Sequence, residues 1–467
     1  MSAERESAAV RGSDAQIAEL RSEVGGSVIE PDQDRYDEAR TLFYGGMDRR
    51  PAAVVRVANA ADVAKVIEFA HRAGIELSVR SGGHSLAGHS VVDGGIVVDL
   101  SELRGLELDV DGRTAWAGAG LTTGEYTTAA AAHELATGFG DSPSVGISGI
   151  TLGGGVGYLS RKHGLTIDSL IGAELVTADG RILQVDPETH PDLFWAIRGG
   201  GGNFGVVTRL GYRLHELGSV VGGILMLPAT EDAIASFVEA ADEAPEELTA
   251  IANVMSAAPP MPMVPEEHHG KPAIFALVVH AGDAEAGERA VDRLRGIAEP
   301  IADLLRPMTY PEIYLPEEEG YHPVGAVRTG FLDAFDRGHA ETILERLGTA
   351  TGMMAVAQLR MLGGAVARVP NDATAYAHRD RRIIVAVASL FEDPGERSAH
   401  EAWAADFAAA LGATRGAYVN FLGDEGDDRV REAYPGPTWE RLREIKRRYD
   451  PENLFRGNQN VPPAEAG

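Results

Sequence analysis

The residues whose types and spacing can do chemistry are a histidine in a glycine turn and three clusters of glycine. His84 lies in Arg80-Ser81-Gly82-Gly83-His84-Ser85, with His89 and Ser90 just beyond. A turn imidazole is accessible and can serve as a metal ligand. It can equally be plain polar surface, since loops are usually exposed. His84 and His89 lack an obvious third ligand, so no metal site is expected. His268-His269, preceded by Glu266-Glu267, lies in an acidic, Pro-flanked loop and reads as solvated. The glycine clusters are 81–85, 145–157 and 199–207, and each joins predicted strands. Glycine lets a backbone approach a ligand closely, and bare turn amides bind anions.

Gly200-x-Gly202-x-x-Gly205 matches a dinucleotide fingerprint literally. In that motif a strand precedes the glycines and a helix follows. Here the order is reversed, and no acid sits about 20 residues on, so a nicotinamide site is not expected. A structural turn remains open for this cluster taken alone. Together the three clusters can line a long, thin, flat anionic ligand, and a flavin dinucleotide has those properties.

Composition narrows the classes. The chain has 467 residues and a net charge of −28, which disfavours binding to nucleic acid and to anionic membranes. Cysteine is absent, so disulfides, thiolate metal sites and cysteine nucleophiles are excluded. Glycine contributes 56 residues, well above the average of about 7%. Hydrophobic residues at 44% and charged residues at 24% are a globular balance. The length allows two or three domains. No apolar run is long enough for a membrane helix and no secretory signal is visible, so a cytoplasmic location is expected.

The elements that must position these residues are predicted next. Residues 1–30 read as partly helical or frayed. Residues 52–57 and 75–79 read as strands flanking a helix that starts at Asn59 and stops at Gly74. Short strands follow at 96–100 and 114–117. Thr122 and Glu125 make a capping box for an Ala-rich helix to about Leu135. Residues 138–157 show no amphipathic period. Residues 171–185 form a hairpin turning at Asp179-Gly180. A short helix covers 190–197, and a strand covers 206–214. From about Leu217 to Leu411, helices at 231–241, 284–298, 339–347 and 397–411 alternate with strands at 273–279, 354–361 and 382–390, with turns such as Pro259-Pro260-Met261-Pro262 between them. A further strand is predicted at 416–422 and a helix at 439–449, ended by Asp450-Pro451.

Several longer motifs resemble one family. Arg80–Ser85, Asp141-Ser142-Pro143-Ser144-Val145-Gly146, Gly153-Gly154-Gly155-Val156-Gly157-Tyr158 through Gly164, and Asp192-Leu193-Phe194-Trp195 through Gly201 are similar to the FAD-linked oxidases of the berberine bridge enzyme type, in the vanillyl-alcohol oxidase/p-cresol methylhydroxylase superfamily. Tyr418-x-Asn420, Tyr449-Asp450-Pro451-x-Asn453 and Asn458-Gln459-Asn460 agree at the C-terminus. The likeness is strong over 35–215 and 412–462. It is weaker in the middle, chiefly at Leu362-Gly363-Gly364-Ala365 and Thr374-Ala375-Tyr376-x-His378-Arg379.

The resemblance implies an α+β fold. An FAD-binding part comes from 1–215 and 412–467, and a substrate domain of antiparallel sheet and helices is inserted at 216–411. It implies FAD contacts at Arg80, Ser81, Gly82, Gly83, His84, Ser85, His89 and Ser90, and at Ser142, Val145, Gly146, Gly149, Gly153, Gly154, Gly157 and Tyr158. Gly205, Val206 and Val207, then Tyr418, Asn420, Asn458 and Asn460, complete the set. His84 matches the histidine that relatives link covalently to the flavin 8α-methyl. Ser142 stands where many relatives have a second, cysteine link, so a single link through His84 is expected.

The implied reaction is hydride removal from an alcohol, sugar or aromatic secondary metabolite to flavin N5, with O2 as acceptor. Tyr418 is the candidate base, with packing against the flavin as the alternative role. Val156 stands where some relatives carry a second tyrosine. Arg328, Arg360, His378 and Arg379 are candidate substrate contacts or structural ion pairs. A dehydrogenase using another acceptor and a silent binding protein of the same fold remain open.

Overall fold

The computed structural model describes residues 14–258, 261–318, 320–413 and 415–465. The readings for residues 1–13 and for Pro259-Pro260 lie outside the described residues.

Three sheets carry the fold. The first runs Ser27–Ile29, Ala53–Arg56, Ile96–Asp99 and Leu77–Arg80 in spatial order, and its last three strands are parallel. The crossover helix Ala60–Ala73 packs Val63, Val66, Ile67 and Ala70 into that core. Its ends follow from sequence: the Asn59 side chain accepts from the Asp62 N–H, and Gly74 closes it at φ +65°. Buried Asp62 also accepts from the N–H groups of Gly25, Gly26 and Ala58, which ties the N-terminal segment to this helix.

The second sheet is antiparallel, in the order Leu106–Asp109, Thr114–Gly118, Val206–Arg213, Leu170–Val176 and Ile182–Val185. The 171–185 hairpin turns at Gly180, with φ +78°. The Thr122–Glu125 capping box is present, but its helix is Thr123–Ala131. Glu134 then adopts φ +57°, and Leu135–Ala136 pairs with His215–Glu216.

The third sheet is wholly antiparallel, in the order Ala302–Asp303, Val220–Pro228, Ala273–His280, Leu248–Met255, Met354–Met361, Ile383–Leu390 and Gly325–Leu332. Helices Glu231–Asp242, Ala284–Arg295, Arg337–Leu347 and Arg397–Ala410 cover one face through an apolar core. Strands Val220–Pro228, Leu248–Met255 and Gly325–Leu332 are not apparent from the sequence pattern. The first is continuously apolar through Gly222-Gly223, and the second holds no strict alternation.

The predicted strand at 416–422 is instead a single 3-10 turn, Val419–Phe421. Its backbone closes on itself, with Phe421 N–H donating to Tyr418 O and Leu422 N–H to Val419 O, and the Asn420 side chain anchors it to Ile150 O. The C-terminal residues Ala417, Leu422, Tyr434, Trp439, Leu442 and Ile445 share a core with the second sheet. No helix among the described residues is long and apolar enough to cross a membrane.

A fully buried ion pair fixes the C-terminal return. On helix Pro437–Tyr449, Lys446 Nζ donates to Asp450 Oδ2 (2.6 Å), Asn203 O (2.7 Å) and Phe455 O (2.8 Å). Asp450 in turn accepts from the N–H groups of Leu454 and Phe455. Burial pulls the Lys446 ammonium down to about 8, and Asp450 opposes that shift. K446M leaves Asp450 unpaired in the interior and is expected to cost about 3–5 kcal/mol. Chemical denaturation measures this, and K446M/D450L should recover much of the loss. A K446M protein as stable as the wild type would refute the clamp.

Candidate functional site

Where the three sheets meet, the chain encloses a cavity of about 660 Å³. The first glycine turn contributes Ser81, Gly82, Gly83, His84 and Ser85, with His89 and Ser90 beyond it. The second cluster contributes Ser142, Val145, Gly146 and Gly149. Gly205, Val206 and Val207 come from the third, and Tyr418, Asn420 and Asn458 from the C-terminal return. Residues remote in sequence therefore converge on one space.

The other predicted site residues stand behind its wall. Arg80 donates to Ala39 O. Gly153 lies against the Asn420 amide, Gly154 against the Tyr376 and Tyr418 rings, and Gly157 against Phe139 O, so each allows close packing. Tyr158 packs in an apolar cluster with Leu159 and Ile224. Asn460 is beside the cavity-lining Gln459, with its Oδ1 buried and unpartnered among the described residues. These six stand outside the cavity lining, where glycine-rich backbone packs closely behind it.

His84 is half-buried in the wall. Its Nε2 lies 2.7 Å from Ser144 Oγ, and Phe43 stacks on its ring at 4.1 Å and 21°. No hydrogen bond engages Nδ1 among the described residues. Burial pushes the imidazole down to about 4, with nearby Arg80 adding to this and Glu317 opposing it. It is therefore neutral near pH 7 and keeps a nitrogen lone pair. Ser142 lies in the same wall and donates to Glu317.

Tyr418 is buried, and its Oη accepts three N–H groups. Gly155 N lies at 2.9 Å, Val156 N at 3.2 Å and Asn420 Nδ2 at 2.9 Å. Asn420 Nδ2 also donates to Ile150 O, which fixes the orientation of that amide. Burial dominates and holds the phenol above its usual range, and these three donors and Arg360 offset that rise only in part. The arrangement supplies the anion stabilisation that a phenolate needs.

The relatives are consistent with this geometry. The family described as FAD binding domain matches residues 51–186, and the family described as berberine and berberine like matches residues 417–462. The chain is 32% identical over 464 residues to (R)-6-hydroxynicotine oxidase of Paenarthrobacter nicotinovorans, covering 94% of this chain and 97% of that protein. The chain belongs to the FAD-linked oxidoreductases of the berberine bridge enzyme type. The crystal structure of 6-hydroxy-D-nicotine oxidase from Arthrobacter nicotinovorans superposes with a TM-score of 0.83 at 30% identity, covering 94% of this chain and 98% of that one. A xylooligosaccharide oxidase from Myceliophthora thermophila shares the fold, with a TM-score of 0.84 at 24% identity, over 97% of this chain and 100% of that one.

The cavity fits FAD on its own features. A Cβ at Gly82 would strike the Gly146 backbone, and one at Gly146 would strike Ser81 and Gly82, so the two loops meet main chain to main chain. Gly83, at φ +73°, turns the chain there. The N–H groups of Gly82, Gly83 and His84 make no hydrogen bond to protein among the described residues. Such bare amides suit a diphosphate. Asn458 Oδ1 is likewise buried and unpartnered, a free acceptor in the wall.

Of the middle-segment candidates, only Arg360 reaches the cavity. Arg328 pairs with Glu425, His378 bonds Ala433 O, and Arg379 grips Asp168 through two bonds of 2.6 and 2.8 Å. These partners give the three structural contacts, and His378 and Arg379 are also buried. The sequence reading missed Phe43, Tyr44, Asp141, Gln358 and Phe421 in the wall, and Ser144 behind His84. Ser144 had a signal, a hydroxyl within a glycine-rich stretch, whereas Phe43 and Gln358 had none.

Histidines held neutral by burial make stability pH-dependent. His378, His89 and His215 are each pushed down to about 4, chiefly by burial. Between that value and an unfolded value of about 6.5, the unfolded chain binds more protons. Stability therefore falls as pH drops through this window. Thermal unfolding should occur at lower temperature at pH 5 than at pH 7, and H378Q should flatten the difference. An equal slope in H378Q would show that His378 is not held neutral.

Proposed function

We propose that this FAD-linked oxidoreductase is an oxidase of hydroxyl-bearing small molecules, with its flavin linked through His84 alone and O2 as final acceptor. The observation that carries this reading is the convergence of a neutral His84, the bare amides of 82–84 and the triply bonded Tyr418 on one cavity. Bound FAD supplies a hydride acceptor. The balance is one alcohol and one O2 consumed, one carbonyl compound and one hydrogen peroxide formed.

The chain's own residues have separate tasks. Ser144 holds Nε2 of His84, which leaves Nδ1 as the ring atom open to bond formation. The absence of cysteine supports a single link. Tyr418 serves as base for the substrate hydroxyl as the C–H hydride leaves, with its own phenolic proton passed to a basic partner or along a substrate-assisted path. Its Oη is set for this because Gly155, Val156 and Asn420 stabilise the negative oxygen. The unit contacting the cofactor comprises 1–215 and 412–467, and 216–411 forms the substrate-facing insert. The shared core of the C-terminal return and the second sheet supports that division.

Two variants test the assignment. Acid-precipitated wild-type protein should stay yellow and carry the mass of one FAD, and H84A should release its flavin into the supernatant. Y418F should keep the flavin spectrum and dithionite reduction, but slow flavin reduction by substrate about 10²–10⁴-fold. Flavin that remains attached in H84A, or unchanged reduction in Y418F, would remove the corresponding role. Peroxide released stoichiometrically with product tests the acceptor.

A further inference from the structure

The Met354–Met361 strand crosses the cavity with alternate side chains inward. Met354, Val356, Gln358 and Arg360 face the space, while Ala355, Ala357 and Leu359 face the helices. The adjoining strands add Ala386, Ala388, Leu390 and Val327. Most of this wall is therefore apolar, and the two alanines leave room above it.

Its polar groups form one hydrogen-bonded chain, with only Arg360 Nη1 of that chain buried and unpartnered among the described residues. Asn253 Nδ2 donates to Phe275 O (3.1 Å), and Gln358 Nε2 donates to Asn253 Oδ1 (2.8 Å). Arg360 Nε donates to Gln358 Oε1 (2.7 Å), and Arg360 Nη2 donates to Asp141 Oδ2 (2.6 Å). The Arg360 and Asp141 side chains are 6% and 25% exposed. They are the only Lys, Arg, Asp or Glu among the described lining residues, and their charges cancel. Burial keeps the lining histidines His84 and His89 uncharged at neutral pH.

Resting on the oxidoreductase reading above, we infer that this cavity selects a neutral, largely apolar alcohol, aromatic or alicyclic, and excludes oligosaccharides, hydroxy-carboxylates and protonated amines. A sugar brings a hydroxyl on nearly every carbon, and each one buried without a partner is costly. The wall's own donors and acceptors are mostly committed to one another. A charged ligand loses its hydration and meets a pair already neutralised. Arg360 and Asp141 act as specificity-determining residues by holding this wall at zero net charge.

The test uses the yellow wild-type protein, mixed anaerobically with 1-phenylethanol and cyclohexanol, mandelate, a protonated 2-amino-1-phenylethanol and xylobiose. Bleaching of the flavin band gives kcat/KM for reduction. A neutral alcohol should exceed mandelate, the amine and xylobiose by about 100-fold or more. Faster bleaching by the sugar or by a charged compound overturns the inference, and so does the absence of any bleaching or spectral perturbation by both neutral alcohols. Two charge variants read the mechanism. D141N leaves a net positive wall and should raise mandelate relative to 1-phenylethanol about tenfold, and R360M should do the same for the amine. Retention of the flavin spectrum checks that each variant is folded, and unchanged ratios in folded variants count against the charge balance. A colourless wild-type protein overturns the cofactor reading and this inference together. A yellow protein that dithionite reduces but that prefers sugar overturns this inference alone.

Discussion

Three N–H groups drawn from opposite ends of the chain meet on one phenolic oxygen, and the cavity is built around that meeting. Gly155 and Val156 belong to the second glycine cluster, and Asn420 lies two residues beyond Tyr418 on the C-terminal return. The contact requires glycine on one side. Gly155 has φ +81° and no room for a Cβ beside Thr166, and a Cβ at Gly153 would strike the Asn420 amide. The Tyr418 ring also packs edge-on against Phe421 and Tyr376, at 4.9 and 6.0 Å. One set of contacts therefore joins the second glycine cluster to the C-terminal return and places a polarised hydroxyl at their junction.

The rest of the C-terminal return is fixed by a different device. Lys446 and Asp450 are buried without solvent and satisfy one another and the neighbouring main chain. That clamp positions Phe455, which lines the cavity, and Lys446 holds Asn203 O, another wall residue. A strongly acidic protein thus places its fully buried charge pair behind the site rather than in it. The wall can then meet an anionic cofactor with main-chain N–H groups, whose positions the fold fixes. A flexible cationic side chain would have to be ordered first.

Much of this was legible in the sequence. The Asn59 and Gly74 boundaries, the hairpin at Asp179-Gly180, the covering helices of the third sheet and the glycine clusters all express local rules, and local rules are what a sequence displays. The family likeness followed from the longer motifs. The strand expected at 416–422 failed because its residues look like a strand while long-range side-chain bonds, as from Asn420 to Ile150, determine the turn. Gly153, Gly154 and Gly157 stand behind the lining for a related reason. Glycine marks close approach, but sequence does not say whether a ligand or another backbone approaches. Phe43 over His84 was invisible because residues 41 positions apart had to be brought together first, and Gln358 because its place in the wall depends on the pairing of its strand with that of Asn253, 105 positions away.

The two halves of the cavity are under different constraints. The glycine-loop side is made largely of backbone, so glycine positions dictate it and a Cβ added there collides with main chain. The opposing wall is made of strand side chains at alternate positions, with a helix-covered core behind them. A strand residue facing the space can change without disturbing its ladder bonds or the residue facing the other way. That separation lets one fold keep its redox chemistry while its substrate wall varies. Proteins named for nicotine and for xylooligosaccharide oxidation superpose on this chain nearly end to end. The topology of the sheet therefore does not by itself distinguish these proteins.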